Sequence, residues 1–260
     1  MDSFVALEID QAHLMVLLLA FARVGGLLQT LPLFSMRGVP IPVKVMLALI
    51  TAVLLMPSLD VDPALGTASA ARIGLAFASE ALLGMAMGFS VAVLLTVLDI
   101  AGTFIGMNAG LAIAMQFDPM SEGQSLVVTR VLQIAGFLTF LGLNLHHEVL
   151  LGLADSFVAA APGHGVLALT AGPSMAAMLG DCFVSALRVS MPVVATALFV
   201  NMVAALVTRF AQQMNIYFSV GLAAQSPLGL LAAALSLPAI VGVVVAMSGD
   251  LRGIVASFAG

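Results

Sequence analysis

From Val189 to Gly249 the chain carries one charged residue, Arg209. Drawn out as a single helix, those roughly 60 residues would cover about 90 Å, some three times the ~30 Å hydrocarbon thickness of a bilayer. One span cannot hold them. The expected solution is two apolar helices, about 189–208 and 218–249, folded back around Arg209 to Tyr217. That segment holds Gln212, Gln213 and Asn215 beside Arg209, a polar turn in an otherwise oily region. Polar and ionisable groups at such places are functional candidates. The amides can satisfy a guanidinium without titrating, and Arg keeps its proton. The group is therefore assigned to assembly or interfacial anchoring rather than to proton movement.

The rest of the chain carries the same message. It is 62% hydrophobic and 8% charged, against about 25% charged residues in soluble domains. We expect an all-α integral membrane protein with about six long apolar helices, near 13–34, 43–59, 73–98, 126–150, 182–208 and 218–249. Pro40 and Pro42 break the chain after the first, and Asp60, Asp62 and Pro63 after the second. The stretch Pro162 to Pro173, with His164, reads as an exposed connector. No linker or internal repeat divides the chain, so residues 1–260 are taken as a single domain. Acidic Asp2, Glu8 and Asp10 stand where a secretory signal would be basic, so the first apolar segment is expected to stay in the mature protein. Cations are too few and too evenly spread for the positive-inside rule to orient the chain. There is no Trp and only one Tyr, Tyr217. The missing aromatic belt suggests that much of the apolar surface meets protein, although a drift toward Ala, Leu and Val fits as well.

Glycine is placed unevenly. Gly102, Gly106 and Gly110 recur every fourth residue, with Ala114 extending the series, and Gly84, Gly88 and Ala92 repeat the spacing one segment earlier. On a helix this makes a smooth face that lets another backbone approach closely. Residues 100–119 also hold Asn108 and Gln116, so an irregular element lining a protein-covered path is an equal alternative.

Several chemistries find no support. A net charge of −5 without a basic run disfavours nucleic acid. The single cysteine, Cys182, excludes an internal disulfide and is read as a small buried apolar residue. His146, His147 and Glu148 are adjacent, and successive helical side chains diverge by about 100°, so they do not converge on a metal; a helix-ending polar cluster is the better reading. No nucleophile elbow, P-loop or dinucleotide fingerprint occurs, so no catalytic residue, cofactor or metal is assigned. Arg23, Glu80, Asp99, Arg130, Arg188 and Arg209 lie in or beside apolar runs. A charge near the bilayer centre costs about 2.5–3.5 kcal/mol on insertion scales, which favours ion pairing or snorkelling over an ion relay.

Four patches, in order, carry a family resemblance: RVGGLLQTLPLFSMRGVPIPVK from Arg23, AGTFIGMNAGLAIAMQFDP from Ala101, FLGLNLHHEVLLGLADSF from Phe140 and RFAQQMNIYFSVG from Arg209. With these the chain resembles the FliR family of the flagellar type III export gate and its injectisome counterparts. The family usually has Asn-Gly-His where this chain has Asn144-Leu145-His146, and Pro-Gln near Gln212-Gln213. The resemblance implies a helical, pore-forming assembly with FliP-like and FliQ-like subunits, through which unfolded substrates leave the cytoplasm. It implies contact with FlhB-like and FlhA-like export proteins, a multi-pass place in the bacterial inner membrane at the flagellar basal body, and helical hairpins lifted above the bilayer plane. It also implies that Gly110, Leu111, Ile113, Met115 and Phe117 form a plug that closes the pore. An injectisome subunit, a small secondary transporter and a purely structural membrane subunit are the competing readings; a transporter should show paired half-repeats, and none is apparent.

Overall fold

Prolines and short polar side chains set where the helices of this computed structural model begin and end. It describes residues 11–35, 39–109, 127–164, 171–210, 222–248, 251–256 and 258. Helix α1 (Gln11–Thr30) is free of proline, and Pro32 opens the short α2 (Pro32–Ser35). Helix α3 (Ile41–Leu55) starts with Pro40 as its N-cap and Pro42 in its first turn, where a missing N–H costs no helical bond. Two tight 3-10 turns follow, Met56–Ser58 and Pro63–Thr67; the Asp62 carboxylate caps the second by accepting from the Ala64 N–H at 2.9 Å. Helix α4 (Ala70–Asn108) runs 39 residues, α5 spans Val127–Gly142, α6 Leu145–Ala159, and α7 (Ala171–Phe210) runs 40 residues through Pro192. Helices α8 (Leu222–Ser248) and α9 (Leu251–Ala256) complete the described elements.

The structure divides into two compact units: Met1–Ala92, His146–Ala176 and Asp250–Gly260 form the first, and Val93–Leu145 with Ala177–Gly249 the second. In the first, α1 packs against α3 and the 3-10 turns. Val16, Leu19, Leu65 and Ala76 make a small core there. In the second, the later half of α4 contributes Val93, Val97, Ala101 and Ile105, and α7 contributes Cys182, Ala186, Val189 and Val193. Alternating steps of three and four on α7 keep one stripe turned inward. Cys182 belongs to this stripe, with its thiol against the Val93 carbonyl at 3.4 Å.

The described parts of all six apolar segments read from the sequence are largely helical, but their boundaries differ. Four described helices are long and apolar enough to cross a membrane, or five if the broken pair α5 and α6 counts as one span. The segment at 126–150 is interrupted because Asn144 takes a left-handed conformation (φ 56°), which ends α5 as a C-cap. Helix α8, with Pro227 and Pro238 inside it, is not among the four. The early part of 100–119 continues α4 as helix to Asn108, and the remainder lies outside the described residues. The expected connector also shifts: Pro162 is buried, and Pro173 falls within α7. His146, His147 and Glu148 open α6 instead of ending its predecessor.

Candidate functional site: close helix contacts and a buried ion pair

A guanidinium inside an apolar unit needs every donor satisfied, because an uncompensated buried charge costs several kcal/mol. Arg23 on α1 finds a partner for each of its three nitrogens, from three directions. Its Nε donates to Glu80 Oε2 of α4 at 2.5 Å, one terminal nitrogen to the Ser156 carbonyl at 2.9 Å and hydroxyl at 3.2 Å, and the other to the Ala160 carbonyl at 2.9 Å. Its cationic carbon lies 4.2 Å from the centroid of the Phe157 ring. Both side chains of the pair are fully buried. The second Glu80 oxygen accepts from the Gly163 N–H at 2.9 Å. Arg23 thus supplies a cation to the Ser156 and Ala160 carbonyls at the C-terminal end of α6, where the helix dipole favours positive charge; the Ser156 carbonyl also accepts the Ala160 N–H at 3.0 Å. Glu80 holds the chain just beyond.

The same two helices approach to backbone distance beside this pair. A Cβ added at Gly26 would collide with the Ala81 carbonyl, one at Gly84 with the Arg23 carbonyl, and one at Gly88 with Thr30 Oγ1 and the Leu27 carbonyl. Backbone atoms cannot swing aside as a side-chain tip can, so these positions admit glycine at this spacing. Thr30 Oγ1 also accompanies the contact, donating toward the Met85 carbonyl at 3.1 Å. On another face of α6, a Cβ at Gly152 would lie 2.9 Å from Val255 Cβ, and Arg252 of α9 grips Asp155 with two nitrogens, at 2.5 and 3.0 Å.

The second unit repeats the device. A Cβ at Gly102 would sit 2.6 Å from Thr129 Cα, and one at Gly229 2.7 Å from Ala109 Cα. Gly106, on the same helix as Gly102, is buried. Asp99 accepts from Gln133 Nε2 at 2.5 Å, and the Gln133 carbonyl oxygen faces an Arg130 nitrogen at 3.4 Å. A neutral amide therefore stands between cation and carboxylate.

Arg209 is exposed in the last turn of α7. Its expected neighbours Gln212, Gln213 and Asn215 lie outside the described residues, as do Gly110, Leu111, Ile113, Met115 and Phe117. His146 and His147 stack with ring centroids 4.3 Å apart, and among the described residues no group of three His, Cys, Asp or Glu could hold a metal ion. Sequence reasoning named Arg23 and Glu80 but did not pair them, and it passed over Gly26, Ser156 and Gly229. The Arg23-x-x-Gly26 spacing, which sets the cation and the gap one turn apart, was the available signal.

The fold and these contacts define an all-α, multi-pass membrane protein whose helices meet through small residues. The sequence profile of Bacterial export proteins, family 1 matches residues 14–251, and the chain belongs to that family. It is 32% identical over 212 residues to the flagellar biosynthetic protein FliR of Bacillus subtilis, covering 79% of each chain. The protein of that name from Pectobacterium carotovorum is 31% identical, over 85% of this chain and 83% of the relative; that from Aquifex aeolicus is 30% identical, over 89% and 88%.

Proposed function

We propose that this protein is a non-enzymatic component of the flagellar type III export apparatus in the bacterial inner membrane, built with FliP-like and FliQ-like subunits into the pore for unfolded substrates. FlhB-like and FlhA-like proteins are its expected neighbours. The observation that carries this reading is the family match across residues 14–251, together with relatives that bear the FliR name. That name favours the flagellar over the injectisome branch.

Two features of the chain fit a role inside an assembly. Helices α4 and α7, at 39 and 40 residues, would each extend about 60 Å, roughly twice the hydrocarbon thickness. Part of each must therefore meet protein or water. Large apolar side chains also face outward on α7, among them Phe199 at 68% and Met202 at 75% exposure. The segment Gly110 to Phe117 is assigned to closing the pore: it is uncharged, and its larger apolar residues would exclude water and ions when the channel is idle. The decisive experiment is purification of a tagged copy from its own cells. Co-purification of the FliP-like and FliQ-like subunits supports the proposal; recovery of the chain without them overturns it.

A further inference from the structure

We propose that α9 is a detachable strap over α6, held shut by Arg252, whose release uncovers the Gly152 face of α6 while the rest of the first unit stays folded. Helix α6 is gripped by arginine on two faces, and the two grips differ in kind. Arg23 reaches it from α1 with a fully buried guanidinium, so that grip cannot open without stranding a charge. Arg252 reaches it from α9, and its contact with Asp155 is open: the two side chains are 49% and 40% exposed. An ion pair left that uncovered exchanges its partner at little cost. The second grip is the one that can let go.

Three features make α9 a separate and reversible element. First, Leu251–Ala256 is six residues long, far short of the ~12–15 at which an isolated helix becomes even marginal, and the exposed Gly253 in its middle weakens it further. It is helical only while docked, so leaving α6 and melting are one event. Second, the docking is narrow. Leu251 and Val255, one turn apart, and Phe258 just beyond are buried, whereas Arg252 and Gly253 face outward. Third, α6 is shaped to receive the strap. A Cβ at Gly152 would lie 2.9 Å from Val255 Cβ and 3.1 Å from the Arg252 carbonyl, so the missing side chain leaves the space that α9 fills. Asp155 follows Gly152 by three residues and Glu148 precedes it by four, which puts both acids on this face of α6, and both attract Arg252. Arg252 is the latch and Gly152 its seat.

The test uses a tagged copy carrying Cys182→Ala, isolated from its own cells with whatever it assembles with, and counts label on this chain by mass. Val255→Cys places a thiol under the strap, and Val16→Cys places one in the core of the same unit. Under native conditions a small maleimide should modify the first roughly tenfold faster than the second, because local opening needs less free energy than unfolding of the unit. Asp155→Asn, which removes the latch, and Gly152→Ala, which fills the seat, should each speed the first reaction severalfold and leave the second unchanged. Should either change prevent recovery of the protein, Arg252→Lys, which keeps the charge but loses the fork, should give a smaller rise. Equal rates at the two thiols would mean that α9 opens only with the whole unit. A strap rate indifferent to both Asp155→Asn and Arg252→Lys would mean that Arg252 does not hold it. Either result overturns the proposal.

Discussion

At the residue scale, the buried Arg23–Glu80 pair is expected to matter more when one partner is removed than when both are replaced. Removing one partner of a buried pair leaves an uncompensated charge and typically costs about 3–5 kcal/mol, whereas replacing both with apolar residues is often far milder. Glu80→Ala should therefore lower the thermal stability of the purified assembly sharply, Glu80→Gln less, and the double change Arg23→Met with Glu80→Met should recover part of the loss. Equal damage from the double and single variants would show that the Ser156, Ala160 and Gly163 bonds matter more than the charge. Arg23→Lys tests the fork itself, since one ammonium cannot reproduce the spread of these contacts. Glycine offers an internal control. A side chain at Gly84 meets the Arg23 carbonyl, while one at Gly74 meets nothing within 4 Å. Gly84→Leu should abolish recovery of assembled protein, and Gly74→Ala should be neutral or slightly stabilising through lost unfolded-chain entropy. Comparable recovery of both, measured by tag purification, would contradict the close-contact account.

At the scale of the element, the segment after α4 is the sharpest case. Residues Gly110 to Phe117 have no charge and end at Asp118-Pro119, where proline turns the preceding residue away from helix. Deleting Gly110 to Ala114 should leave the assembly intact while making the membrane permeable to small ions. The measurement is conductance, or uptake of a small impermeant solute. Wild-type tightness with confirmed assembly would remove the plug role. The helices themselves were largely legible in advance, because apolar runs, Pro40 and Pro42 declare them locally. Their exact ends were not. The break at Asn144 depends on one residue adopting a left-handed conformation, which composition does not announce. Helix α7 runs through Pro192, as the expected 182–208 segment already did, but it begins earlier, at Ala171.

At the scale of the whole molecule, the outward apolar surface sets the expected behaviour. Leu75 at 77% and Leu235 at 74% exposure stand for many large side chains without protein cover. Produced alone, the chain should aggregate or be degraded, and co-production with FliP-like and FliQ-like proteins should rescue it. A stable, monodisperse monomer in detergent would argue against an obligate assembly.

What the sequence determined by itself was solvent class and helical period: a chain this apolar and this poor in charge must satisfy its backbone internally, and long uncharged runs do so as helices. The family was legible in four ordered patches for the same reason that motifs are readable at all, since each is a local run of residues. Tertiary structure alone decided which groups meet. Arg23 and Glu80 are 57 residues apart, Arg23 and Ala160 137, and nothing in either neighbourhood specifies the other. Gly26, Gly84 and Gly88 let α1 and α4 come to backbone contact, and at that distance the buried Arg23 and Glu80 side chains meet.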